Sequence, residues 1–421
     1  MRFLLLTSTF TLFFLAPITA LPDGADSPPD WTQWRGPNRD GQIGGPVWPE
    51  RLDAEHLELL WRVPLGPSYS GPIVSDQFVF TTETKDKKSE VVLALDRKTG
   101  EQRWRTEWEG AMTVPFFAAS NGSWIRSTPA YDGKNLFVAG MRDVLVCLNA
   151  DTGAESWRVD FVQQFDTPLP AFGFVCSPLV DEDAVYVQAG ASVVKLDKAT
   201  GDVLWRALDD GGGMFGSAFS SPILADLAGT RQLLVQTREQ LVGIDPMTGS
   251  VHWRQKVPAF RGMNILTPVV VGDAVFTSSY RNKSWLYRVT ADATDYQVET
   301  AWSNNVQGYM STPVVIEGHA YMHLQNRRFA CIDLESGERT WTSQPFGKYA
   351  SLIAQGHRIL ALDAGGRLLL IHATPEEFQL IDEVELSEDS TWAHLAVSGH
   401  ELFVRQLGAI TAYRWMDAEK K

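Results

Sequence analysis

The sequence predicts an all-β protein: an eight-bladed β-propeller of four-stranded antiparallel blades, its ring closed by pairing N- and C-terminal strands. Three observations carry that prediction. A hairpin motif recurs five times with a fixed Gly-to-Trp offset of four. An apolar strand marker recurs eight times at a spacing of about 46 residues. The last unit lacks a strand that the start of the chain supplies.

The hairpin reads LALDRKTGEQRW at Leu93–Trp104, VCLNADTGAESW at Val146–Trp157 and VKLDKATGDVLW at Val194–Trp205. It returns as VGIDPMTGSVHW at Val242–Trp253 and ACIDLESGERTW at Ala330–Trp341. The apolar stretch is a strand. Asp96, Asn149, Asp197, Asp245 and Asp333 each place a side-chain oxygen where it accepts backbone N–H groups two and three residues on, closing a turn. Gly100, Gly153, Gly201, Gly249 and Gly337 supply the positive φ. Trp104, Trp157, Trp205, Trp253 and Trp341 then lie on the return strand as buried anchors. Five equivalent carboxyl or amide groups on tight turns read as structural, not catalytic.

The second marker is Ser/Thr-Pro or a relative, an apolar run, a short Asp/Gly turn and another apolar run. It starts at Gly71, Thr128, Ser177, Ser221, Thr267, Thr312, Ser351 and Leu395, the last two without proline. From Pro72 to Ala396 is 324 residues across seven steps, the period of a propeller blade. Two hairpins are degenerate. The fifth keeps only Trp302, and the seventh has no tryptophan. The eighth unit ends at LGAITAYRW, so its fourth strand is expected in LELLWRVPL at Leu57–Leu65, with Trp61 as anchor. Closure of this kind removes two open sheet edges. The propeller is expected over 57–415, after an extension at 21–56 that packs on the ring, and before a short tail at 416–421.

Residues 1–20 read as a cleaved signal peptide, with an uncleaved anchor as the alternative. Arg2 precedes an apolar run, Pro17 stops it, and Ala20 offers a small residue at a cleavage point. The run is short for a membrane span, so no integral span is expected after cleavage, and export to a periplasm or the exterior follows. Cys147, Cys176 and Cys331 sit in apolar runs and read as buried thiols, with a Cys147–Cys176 bridge as the alternative. With 51 acidic and 37 basic residues the chain carries −14, which argues against nucleic acid as a partner. No metal-ligand spacing, phosphate loop or nucleophile elbow occurs.

The repeated hairpin and the preceding Ser/Thr-Pro strand resemble the repeats of the pyrroloquinoline-quinone-like β-propeller family. That family includes quinoprotein alcohol and glucose dehydrogenases. It also includes non-catalytic extracytoplasmic propellers of the outer-membrane assembly factor type. The segment WTQWRGPNRDG at Trp31–Gly41 resembles openings found in bacterial proteins of this kind. The resemblance implies the fold and an extracytoplasmic home. The chain departs from the dehydrogenases in having no adjacent cysteines and no C-x-x-C-H. It departs from the assembly factor in having no lipid-attachment cysteine after Ala20.

The connections from anchor Trp to the next marker shrink from 25 residues after Trp104 to 11 after Trp302, so one rim carries the insertions. Their content is aromatic: Phe116, Phe117 and Trp124 in the first, Phe172 and Phe174 in the second, Phe215 in the third. Tyr309, Tyr349 and Trp392 precede later markers. Cations gather there too, at Arg126, Lys348 and His394, with Arg261 farther back, and an anionic ligand is expected on Arg126, Lys348 and Tyr349. These residues are the expected binding rim of a non-catalytic scaffold with a protein or peptide partner. The alternatives are a quinone- and calcium-dependent oxidoreductase, and a carbohydrate or small-anion binder. No catalytic residue, metal site or cofactor is assigned.

Overall fold

The computed structural model describes residues 30–212, 216–292 and 295–416. The expected signal at 1–20, the tail beyond Met416 and Phe215 lie outside them. Eight four-stranded antiparallel sheets are arranged as consecutive blades. Blade 1 begins at Ile73–Val74, blade 2 at Ala130–Tyr131, blade 3 at Leu179–Asp181 and blade 4 at Ile223–Leu227. Blades 5 to 8 begin at Val269–Val271, Val314–Ile316, Ala350–Gln355 and Ala396–Ser398. The outer strand of blade 8 is Leu57–Pro64, paired antiparallel with Ala409–Trp415 from Leu57↔Trp415 to Pro64↔Ala409. Two strands at opposite ends of the chain thus complete one sheet.

The repeated hairpin is a lock between blades. Five of the seven anchor indoles donate to the carbonyl just past the turn residue of the next blade. Trp61 reaches Arg97 at 2.9 Å, Trp104 reaches Ala150 at 2.7 Å and Trp157 reaches Lys198 at 3.1 Å. Trp205 reaches Pro246 at 3.2 Å and Trp302 reaches Leu334 at 2.8 Å. The motif glycine lies under the same indole. A Cβ on Gly153 would stand 2.5 Å from Trp104, and one on Gly201 would stand 2.8 Å from Trp157. Glycine is therefore demanded twice, by positive φ and by the neighbour's ring. Where blade 5 lacks the turn, Trp253 turns to Gln232 of its own blade at 2.8 Å.

The Ser/Thr of the second marker staples the inner ring. The hydroxyls of Thr128, Ser177, Ser221, Thr267 and Thr312 each accept the backbone N–H of the preceding blade's marker residue, at 2.9–3.1 Å. This chain of five bonds runs from blade 1 to blade 6 and stops where the marker degenerates. The three cysteines are buried as free thiols, so no Cys147–Cys176 bridge forms. Burial pushes the Cys147 and Cys176 thiols up to about 12.

Residues 31–43 form a strap across one end of the central channel. Trp31 pairs with Val74 of blade 1, and the Thr32 carbonyl accepts from Tyr131 of blade 2. Arg39 donates to the carbonyls of Ser177 and Pro178 in blade 3 at 3.0 and 2.6 Å. Arg35 donates to Pro313 in blade 6 at 2.7 Å, and Gly41 accepts from Ala354 in blade 7. Both guanidinium groups are buried, and the strap gives the funnel a floor.

Candidate functional site

Above the strap lies a cavity of about 210 Å3. Trp34 forms its base, flanked by the guanidinium carbons of Arg35 and Arg39 at 5.6 and 5.7 Å from the ring centroid. The walls come from loops that enter the inner strands. Tyr69, Trp392 and Tyr349 stand on one side: Tyr69 and Trp392 are 5.7 Å apart, and Trp392 stacks on Tyr349 at 5.6 Å and 7°. Phe172 and Phe219 stand on another, 5.6 Å apart. Met263, Ile265 and Met310 complete the apolar surface, and Tyr309 joins it while packing on Tyr280 at 5.4 Å.

The cavity opens into a groove of about 630 Å3 that shares Tyr69, Asn121 and Trp392 with it. Arg327, Lys348 and Arg367 line this groove. Lys348 lies 5.3 Å over the Trp392 ring and contacts the Asn121 side-chain oxygen at 3.4 Å. Arg367 is held by Asp363 and Glu383. Among the described residues, no Asp or Glu lines either the cavity or the groove.

A six-residue 3-10 helix, Phe116–Asn121, stands at this mouth. Phe116 is 90% exposed and Phe117 52% exposed. Phe117 packs edge-on to Phe172 at 6.3 Å, so an aromatic path runs from the exposed helix to the cavity wall. Trp124 is half-buried behind it, close enough that a Cβ on Gly122 would strike its indole. Arg126 lines the cavity and folds back on its own loop, donating to the carbonyls of Trp124 and Gly122 at 3.2 Å each. Burial lowers its pKa to about 10, so it stays a cation at neutral pH.

The structure departs from the sequence-based expectation at three residues. Phe174 is 2% exposed and packs with Phe161 and Cys176 inside the core, because the turn of the loop directs it inward. His394 lines the cavity, but burial and the neighbouring Arg35 lower its pKa to about 3. It is therefore neutral and adds no charge. Arg261 sits exposed on a separate turn beside Phe260, at 5.0 Å, outside the cavity lining. Tyr349 lines the cavity but is itself mostly buried. Trp34 and Arg327 carry no mark of a site in the sequence. Tyr69 lies two residues before the Gly71 marker, the signal by which it was findable.

A calcium-bound quinone needs hard oxygen donors beneath it and a carboxylate or comparable base beside it. Among the described residues the lining holds no carboxylate, and the neutral His394 is a very weak base. Among the described residues no group of three or more His, Cys, Asp or Glu is placed to hold a metal ion. The residues present do not fit that cofactor.

A family model described as outer membrane protein assembly factor BamB matches residues 87–343. The chain belongs to that family. The BamB of Yersinia pestis is 23% identical over 261 residues, 58% of this chain and 62% of the relative, so the chain spans just under two thirds of its length. The crystal structure of BamB from Moraxella catarrhalis superposes with a TM-score of 0.62 at 16% identity, covering 85% of this chain and all of that one. The quinohemoprotein alcohol dehydrogenase of Comamonas testosteroni reaches the same TM-score, 0.62, at 15% identity, covering 92% of this chain and 80% of that one. At such identities both likenesses show the fold alone.

Proposed function

We propose that this chain is a non-catalytic, extracytoplasmic propeller that holds a protein or peptide partner on its funnel rim. The observation that carries the reading is the exposure of Phe116 and Phe117 on a built helix at the mouth of an aromatic cavity. Apolar rings in water cost free energy unless a partner covers them, and aromatic side chains dominate the binding energy of interfaces. The closed blades fix the rim before binding, which lowers the ordering cost. The Yersinia relative is named an assembly factor of the outer membrane, and a role beside other envelope proteins fits that name. The export expected from the first twenty residues fits it too.

Photo-crosslinking tests the reading. A benzophenone amino acid at position 116 is expected to give a discrete adduct with one partner in the producing cell. Phe117→Ser is expected to lower its yield about tenfold, the loss typical of a central aromatic contact. Stoichiometric uptake of pyrroloquinoline quinone with calcium, accompanied by dye-linked alcohol oxidation, would overturn the reading in favour of an oxidoreductase.

A further inference from the structure

Among the described residues, some surface arginines are ion-paired, while others, such as exposed Arg62, Arg254, Arg288 and Arg339, are not. Arg103 meets Asp96, Arg158 meets Glu155, Arg231 meets Asp181 and Arg414 meets Glu401, at 2.6–2.9 Å. What sets the funnel apart is that three cations of the unpaired kind lie together. Among the described residues, Arg126 hydrogen-bonds backbone carbonyls, Lys348 meets the neutral Asn121 and the Trp392 ring, and no ion pair to a carboxylate is formed by either or by Arg327. The three share one continuous lining, and the described part of that lining has no acid. On a chain of net −14 this leaves a local concentration of uncompensated positive charge. Beside it, Phe172, Phe219, Met263, Ile265 and Met310 make the cavity wall apolar.

We infer that the funnel takes an acidic, extended peptide: one bulky apolar side chain enters the cavity, and flanking carboxylates meet Arg126, Lys348 and Arg327. The inference rests on the reading of the rim as a partner surface and adds the partner's charge and its anchor. The wall of Phe172, Phe219, Met263, Ile265 and Met310 favours a hydrocarbon side chain, which buries apolar area there. Arginine and lysine on an open groove offer charge-assisted hydrogen bonds to carboxylates without prior loss of a native ion pair.

Calorimetric titration of the full chain tests it. The probe is an acetylated nonapeptide amide of one phenylalanine flanked by four glutamates on each side. It is expected to bind. Versions with lysine in place of glutamate, or serine in place of phenylalanine, are expected to bind at least about tenfold more weakly. The double variant R327E/K348E changes two exposed side chains, and its unfolding midpoint controls for folding. It is expected to lose about tenfold in affinity for the acidic peptide. Equal binding of acidic and basic peptides, no loss in the double variant, or tighter binding of a polygalacturonate hexamer would overturn the inference. Those results leave the adduct from position 116 unchanged, whereas loss of that adduct speaks against the partner surface itself.

Discussion

Gly153 shows why the hairpin motif holds its form. Its φ is 71°, and a Cβ would lie 2.5 Å from the Trp104 ring. Gly229 has a φ of 75°, and a Cβ there would meet nothing within 4 Å, so it isolates the backbone part. Each Gly→Ala change brings left-handed strain of about 1–2 kcal/mol. Gly153→Ala adds overpacking against a fixed indole, a further cost of about 1–3 kcal/mol. Denaturant midpoints are expected to fall further for Gly153→Ala than for Gly229→Ala by that difference. Equal midpoints would mean that the indole yields freely and that the glycine serves the turn alone. The same reasoning explains the anchors' constant offset. An indole that must reach one carbonyl and cover one glycine in the next blade tolerates no slippage in its own strand.

The elements of the insertion-bearing rim are tied together by buried carboxylates. Glu90, on the strand Ser89–Asp96, accepts from the Trp108 indole at 3.0 Å and from the Met141 backbone in the next blade at 2.7 Å. Asp143, in that next blade's turn, accepts from Gly190 of blade 3 at 2.8 Å. Burial raises Glu90 to about 7 and Asp143 to about 6, against weaker lowering by their hydrogen bonds. Arg158 and Arg142 also lower Glu90 slightly. A carboxyl whose folded pKa exceeds its unfolded value binds more protons when folded. Stability is therefore highest below the unfolded pKa and falls as pH rises through the window from 4.5 to about 7 for Glu90. The loss is on the order of 3 kcal/mol for Glu90 alone. Urea midpoints of the wild type are expected to drop between pH 5 and pH 8, and Glu90→Gln is expected to flatten that drop while starting lower at pH 5. An unchanged slope in the variant would remove Glu90 as the cause. None of this was legible from the sequence, where Glu90 stands in an ordinary apolar strand. Its meaning arises only when Met141 arrives from 51 residues away.

At the scale of the whole molecule, periodicity decides what a sequence reveals. Blade number and ring closure were legible because every blade solves the same packing problem at one spacing. The strap was legible only as a separate segment, since Arg35 and Arg39 meet carbonyls 278, 139 and 138 residues away, each in a single copy. The funnel was legible as a side of the ring, through loop lengths, but not as a set of contacts. Closure itself has a second clasp beyond strand pairing. The residue after the turn Asp or Asn is Ala150, Lys198, Pro246 or Leu334 in four hairpins, but Arg97 in blade 1. Arg97 is buried and crosses to blade 8, meeting Glu401 at 2.8 Å and the Ser398 hydroxyl at 2.9 Å, while also holding the Ser75 carbonyl at 2.8 Å. The C-terminal strands are thus fixed to blade 1 directly as well as through Leu57–Pro64. Arg97→Met leaves the Ser75 and Ser398 oxygens without this donor, while Glu401 keeps Arg414, so the change is expected to cost about 1–3 kcal/mol. Adding Glu401→Gln is expected to add little to that loss, because the two effects share one contact. Arg231→Met, which breaks an exposed pair with Asp181, is expected to cost less than about 1 kcal/mol. Guanidinium midpoints of the four proteins check the order. If Arg97→Met proves no worse than Arg231→Met, strand pairing alone closes the ring.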